Sequence, residues 1–165
     1  LKISCSIIRP TMIYDSFSNS RDKNISKILS LMRITGFVIL PSKTGFRQPI
    51  HVSQLASVFY EIVNKAIKNK YLQVILNVGG DNILSYEQMI IALRESVDVN
   101  DKASRCKIYK IPNRIFNFLF SPLILLSPKT YASINRLGTD LSGFKKASEI
   151  TNKDMRIFPI LRSPY

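Results

Sequence analysis

The residues in this chain best suited to chemistry are cations set around turns, not an acid, base and nucleophile in a shared pattern. Residues 102 to 146 hold nine Lys and Arg against Asp140 alone, which accounts for +8 of the formal +13. Such side chains recruit phosphates through charge-assisted hydrogen bonds. The stretch therefore reads either as a basic cap over a diphosphate-bearing ligand or as a solvated surface that serves solubility. His51 is the only histidine, and no Ser, Cys or second acid stands beside it in a triad pattern, so it is assigned a packing or hydrogen-bonding role. The cations from Lys102 to Lys146 are not interleaved with stacking aromatics, and no helix-turn-helix or zinc spacing occurs. No metal is expected, and nucleic acid is not the expected partner, a basic nucleic-acid-binding domain being the minor alternative.

The elements that must position these groups alternate between strand and helix. Ile3 to Arg9 is a β-branched run closed by Pro10, which predicts a buried parallel strand containing Cys5. Asp22 is a candidate N-cap for an amphipathic helix over 23–34, with Ile25, Ile28, Leu29 and Met32 on one face. Phe37 to Leu40 is a short extended piece. Ser53 is expected to cap the clearest helix, whose apolar positions are Leu55, Val58, Phe59, Ile62, Ala66 and Ile67. Val74 to Val78 is a second strand ending at Gly79-Gly80, and Ser85 with Gln88 forms a capping box for a helix lined by Met89, Ile90 and Leu93. Beyond residue 100, Cys106 to Ile111 reads as a short strand. Pro112 starts an apolar helix that Pro128 ends, and Tyr131 to Leu137 reads as another short helix. Strand, helix, strand and helix in this order predict an α/β sheet.

A chain of 165 residues with 45% hydrophobic content suits one compact unit. Two cysteines, Cys5 and Cys106, are too few for a disulfide framework, and a reducing, cytoplasmic setting is expected. No signal peptide opens the sequence. Ile115 to Leu126 is apolar but short of the roughly 18 to 20 residues of a spanning helix. It reads as core or interface packing, with a membrane-surface anchor as the alternative.

Several segments together resemble the second half of an extended short-chain dehydrogenase of the NAD-dependent epimerase/dehydratase family. Arg9-Pro10-Thr11-Met12-Ile13-Tyr14-Asp15 is similar to the family's Arg-Pro-x-x-x-Tyr-Gly. Arg47-Gln48-Pro49-Ile50-His51-Val52-Ser53-Gln54-Leu55-Ala56 is similar to its Arg-Asp-Tyr-Ile-His-Val-x-Asp-x-Ala. Leu76 to Gly80 followed by Leu84 to Glu87 looks like its last parallel strand and the capped helix that enters the substrate lobe. Asn135 to Asp140 with Lys146-Ala147 resembles its closing Arg-x-Gly-Asp element and Lys-Ala helix, with one extra residue between Arg136 and Asp140.

The resemblance implies the C-terminal part of a Rossmann-like parallel sheet with flanking helices (about residues 1 to 80) and a small, basic substrate-binding lobe (81 to 165). It implies that Pro10 and Thr11 lie beside the nicotinamide of NAD or NADP, that Met12 faces the substrate, and that Arg47 and Arg136 hold the phosphates of a nucleotide-diphosphate sugar. Asp15 replaces the family's glycine and Met12 its frequent asparagine. Gln48 and Gln54 replace two aspartates and are expected to weaken hydrogen-bond support. None of the seven tyrosines is followed by lysine four positions later, and no Gly-x-x-Gly-x-x-Gly or Gly-x-Gly-x-x-Gly run is present. The pyrophosphate site and the proton-accepting phenol thus fall to an N-terminal half that this chain lacks. Alone it is expected to be noncatalytic. A homodimer is among the family's usual states, and a noncatalytic scaffold of the same fold is the alternative reading.

Overall fold

The structure, a computed structural model, describes residues 5–15, 24–69, 74–122 and 127–161. Ile3, Asp22 and the end of the apolar segment at 123–126 lie outside the described residues. The chain forms two compact units that interleave along the sequence: Leu1–Ser26, Gln48–Ile83 and Ser142–Tyr165 make one, and Lys27–Arg47 with Leu84–Leu141 the other. A single cut near residue 80 does not separate them, because the chain leaves the first unit at residue 26, re-enters it at Gln48 and returns to it again at Ser142.

The first unit is built on a parallel sheet. Strand β1 (Ser6–Pro10) pairs in parallel with β6 (Val74–Gly79), from Ser6 opposite Val74 to Pro10 opposite Val78. Strand β9 (Lys145–Lys146) pairs in parallel with the carboxyl end of β6, giving the order β1-β6-β9. Beside it β2 (Ile13–Tyr14) pairs with β5 (Ile50–His51), also in parallel. The two strands expected at Ile3–Arg9 and Val74–Val78 pair in parallel over Ser6–Pro10, but the first is largely exposed and not buried, because one face of the sheet is uncovered. Cys5, expected inside that strand, instead precedes it and is exposed.

Helix α2 (Val52–Asn69) covers this sheet. Its Leu55, Val58 and Ile62 pack into one core with Ile50, Val78, Ala147 and Ile150, the last two from α6 (Ala147–Thr151). Each such side chain contributes about 1.5–3 kcal/mol by leaving water, far more than helix propensity supplies, so the buried stripe decides how α2 lies. That stripe is narrower than the sequence pattern: Phe59 and Ile67 are exposed, at 46% and 72%. The other face of the sheet is bare as well, with Ile7 and Ile75 exposed. Gly80 permits the sheet's carboxyl edge to close. A Cβ there would sit 1.8 Å from the carbonyl oxygen of Pro49, a contact that only backbone displacement could relieve.

The second unit pairs β3 (Phe37–Pro41) in parallel with β8 (Lys107–Ile111). Most of α1 (Ile25–Thr35) and α3 (Tyr86–Ser96) contribute its buried Leu29, Met32, Met89, Ile90 and Leu93. The capping box of Ser85 and Gln88 is formed in both directions. The apolar helix α4 (Asn113–Phe120) follows Pro112 as expected. Pro128, however, opens the next helix, α5 (Pro128–Asn135). Proline at the first helical position loses no hydrogen bond and has its φ already set, which makes it a start signal there.

Among the described residues no helix is long and apolar enough to cross a membrane. No group of three or more His, Cys, Asp or Glu among them could hold a metal ion.

Candidate functional site

In the first unit the loop after β1 is fastened to the strands around it. The Thr11 amide donates to the Val78 carbonyl at 2.9 Å and its hydroxyl to the Gln48 carbonyl at 2.5 Å, while the Ile50 amide donates to the Met12 carbonyl at 3.0 Å. Pro10, Thr11 and Met12 are half-buried, so the loop offers a wall at the carboxyl end of a parallel strand. Proline has no N–H, and both donors of Thr11 are engaged. Pro10 and Thr11 therefore present no unused donor at this wall.

Gln48 sits at the centre of this arrangement, 1% exposed. Its Nε2 donates to the Gly80 carbonyl at 2.8 Å and the Phe144 carbonyl at 3.0 Å, and its Oε1 accepts from the Phe144 amide at 3.1 Å. Gln54 works in the same two senses: its Oε1 accepts from the His51 amide at 3.0 Å, and its Nε2 donates to Asp81 at 2.8 Å. The expectation that these glutamines weaken support is therefore corrected. An ionised aspartate only accepts and could make none of the three donated bonds.

Asp81, which the sequence reading passed over, is 4% exposed and accepts from Gln54, the Ser148 amide and the Arg156 amide, the two amides at 2.9 and 2.8 Å. It ties α2, α6 and the chain beyond α6 to the end of β6. Its signal in the sequence is its place directly after Gly79-Gly80, at a strand's carboxyl end.

His51 is fully enclosed. Its Nδ1 lies 2.7 Å from the Ser53 hydroxyl, its ring meets Tyr14 edge-on at 5.2 Å, and its Nε2 is 3.7 Å from Asp15. Ser53 thus serves His51 within the first turn of α2 and does not stand ahead of the helix as its cap. Burial holds the imidazole below its ordinary value of 6.5, against a smaller opposing pull from Asp15. Tyr14, whose hydroxyl accepts from the Ile160 amide at 3.1 Å, is pushed far up by burial and remains a neutral phenol.

In the second unit the structure brings Arg47 and Arg136 together. Arg47 is 6% exposed and follows Phe46 in β4 (Phe46–Arg47), which pairs antiparallel with β7 (Leu84–Ser85). Its Nη1 donates to the carbonyls of Phe46 and Thr139, and its Nη2 to the carbonyl of Arg136. Of the five guanidinium donors, these bonds use three. The Arg136 side chain is exposed. Gly45 lets the two segments meet, since a Cβ there would lie 2.1 Å from the Thr139 carbonyl oxygen.

The Arg47 guanidinium also stands 5.7 Å from the centre of the Tyr86 ring, within cation–π reach. Burial lowers the affinity of Arg47 for its proton, and Tyr86 and Asp140 act against that shift. Tyr86 and Leu137 help to line an apolar pocket of about 440 Å³, with Leu31, Phe37, Ile39 and Phe116 among its other walls. That volume falls in the range of small-ligand sites. In the sequence Tyr86 stands only within the Leu84 to Glu87 motif, and nothing in its spacing marks it as the residue between the arginine and the pocket.

The chain is similar in fold to MoeE5 solved in complex with UDP-glucose and NAD, with 14% sequence identity and a TM-score of 0.52 over 94% of this chain and 43% of that one. MoeE5 in complex with UDP-glucuronic acid and NAD gives the same identity and TM-score over 93% and 42%. The NAD dependent-NDP-hexosamine 5,6-dehydratase TunA overlaps less, with 15% identity and a TM-score of 0.42 over 65% of this chain and 32% of that one. The chain therefore spans less than half the length of these proteins. No protein-family model matches it, and no curated protein does so significantly. The fold is α/β and Rossmann-like, with parallel strands and flanking helices.

Two outcomes follow from this geometry. Arg47→Ala strips three carbonyls of a charged donor and is expected to lower unfolding free energy by about 2–3 kcal/mol in urea. Arg47→Lys should recover less than half of that, because an ammonium cannot present a planar fork; full recovery by lysine would contradict the assignment. For His51, the unfolded chain takes up a proton that the folded chain refuses, so stability should fall as pH drops through 6.5. His51→Gln should flatten the melting temperature between about pH 7 and 5. Asp101, held low by Arg33, acts only near and below 3.8, outside that window. An unchanged slope in the variant would refute the buried neutral imidazole.

Proposed function

We propose that this chain is the C-terminal, substrate-binding part of an NAD(P)-dependent nucleotide-sugar epimerase/dehydratase-like oxidoreductase and is not catalytic by itself. The observation that carries the reading is the five-residue parallel pairing of β1 with β6, with the Pro10–Met12 loop at its carboxyl end, in a fold shared over 94% of the chain with a protein solved with UDP-glucose and NAD. In open α/β sheets that end is where dinucleotides and their substrates sit.

Three features support the view that the sheet continues in a further N-terminal segment. Strand β1 is an edge with β6 as its only partner among the described residues. Ile7 and Ile75 leave one sheet face apolar and exposed, whereas parallel sheets are ordinarily covered on both faces. The chain also lacks the glycine fingerprint and the Tyr-x-x-x-Lys pair that the chemistry requires.

In this reading NAD or NADP takes up and returns a hydride at a sugar carbon when bound. Pro10 and Thr11 wall the nicotinamide, and Met12 faces the sugar. Arg47, fixed by its three carbonyls, offers its remaining donors to the diphosphate, and the exposed Arg136 adds a second cation. Tyr86 and the pocket beside it take the apolar body of the nucleotide. On the second unit alone, these cations and this pocket are enough for nucleotide affinity without any catalytic group.

Titration calorimetry with UDP-glucose and with UDP tests this. The chain should bind both in the high micromolar to millimolar range, and Arg136→Ala, which removes an exposed cation without touching the fold, should weaken both about tenfold or less. NAD alone should give no heat. Expressed together with its upstream reading frame, the chain should bind NAD and turn over a nucleotide sugar. A full-length product that binds neither ligand would end the assignment, and one that binds both without turnover would favour the noncatalytic scaffold.

A further inference from the structure

We propose that helix α4 docks the second unit onto an anionic lipid surface. Phe116 and Phe120 turn toward the pocket, their rings tilted at 48° with centroids 4.6 Å apart, and Phe116 is 3% exposed. The opposite side of the same helix is also apolar. Ile115, Phe118 and Leu119, at i, i+3 and i+4, form a single face and are exposed at 56%, 81% and 53%. Core packing is the expectation for this segment; in its described helix, Asn113–Phe120, the structure buries only one of two apolar sides. Arg114, one turn before Phe118, borders the outward face.

Charge identifies the occupant. From Lys102 to Thr139 the chain carries seven Lys and Arg and no acid. Lys102, Arg105, Lys107, Lys110 and Arg114, all exposed, lead directly into the helix. Of these Lys110 is paired with Glu87 at 2.7 Å. An acidic protein or a nucleic acid would answer the cations but leave Phe118 against polar groups. A bilayer with anionic headgroups answers both, because the aromatic and aliphatic tips enter the acyl boundary while the flanking cations stay at headgroup level. The short helix lies on such a surface and does not cross it, consistent with the absence of a spanning helix among the described residues.

The chain contains no tryptophan, so Phe118→Trp places a single reporter on the proposed face. With phosphatidylcholine vesicles containing phosphatidylglycerol, its emission should shift to the blue and lose access to an aqueous quencher. Phosphatidylcholine alone should produce neither change. Arg114→Gln and Lys107→Gln should each weaken partitioning about fivefold, and raised salt should act in the same direction. Phe118→Asp with Leu119→Asp should abolish cosedimentation while leaving the far-UV spectrum and melting temperature in place. Emission that stays red with anionic vesicles would overturn the proposal. So would emission already blue in buffer alone, because the face would then be covered by a second copy or by more of the same protein. Sedimentation velocity distinguishes those two covers.

Discussion

A buried primary amide holds the candidate cofactor end of this chain together. Gln48 donates twice and accepts once because the carboxamide carries both polarities, and these bonds go to main-chain atoms of Gly80, just past β6, and Phe144, just before β9. Its own carbonyl receives the Thr11 hydroxyl. The turn after β1, the end of β6 and the approach to β9 thus converge on one residue. Close approach is part of the device, since a Cβ on Gly79 would lie 2.4 Å from the Gln48 side-chain carbon. The two glycines are therefore needed for the packing of the amide and of Pro49, beyond any turn they make. Asp81 repeats the logic with a carboxylate, gathering one side chain and two amides at the other side of the same glycines.

The second unit solves a different problem by related means. A guanidinium buried without a carboxylate partner would be costly. Arg47 is instead satisfied by main-chain carbonyls from its own strand and from the 136–139 turn, with the Tyr86 face beside it. Those contacts fix the arginine in place, with the Asp140 carboxylate near enough to favour its charged form. A fixed cation beside Tyr86, which itself lines an apolar pocket of about 440 Å³, is what links this unit's local chemistry to the proposed ligand.

Much of this was legible in the sequence where the physics is local. Ser85 with Gln88 gave a capping box and Met89, Ile90 and Leu93 a buried stripe, and the first strand pairs in parallel with Val74 to Val78 over Ser6 to Pro10, although it is largely exposed and not buried as expected. Elsewhere local rules were satisfied in two ways and tertiary structure chose between them. Pro128 suits a helix end or a helix start, and it starts one. Phe59 and Ile67 fit the helical period of α2 yet face outward, because period alone does not say how wide a stripe the core accepts. The roles of Gln48 and Gln54 were misjudged because the residues they join are up to 96 positions away. Arg47 and Arg136 were named as candidates through motif resemblance, but a guanidinium resting on the other arginine's carbonyl could be seen only in three dimensions.

The most direct test of the central claim is urea unfolding of Gln48→Glu. The carboxylate fills the same space but cannot donate to the Gly80 and Phe144 carbonyls, and it buries a charge against them. The expected loss is roughly 3–5 kcal/mol at neutral pH, shrinking in mild acid as the carboxyl regains a proton to donate. A midpoint equal to that of the unaltered chain at both pH values would show that Gln48 does not hold this edge together.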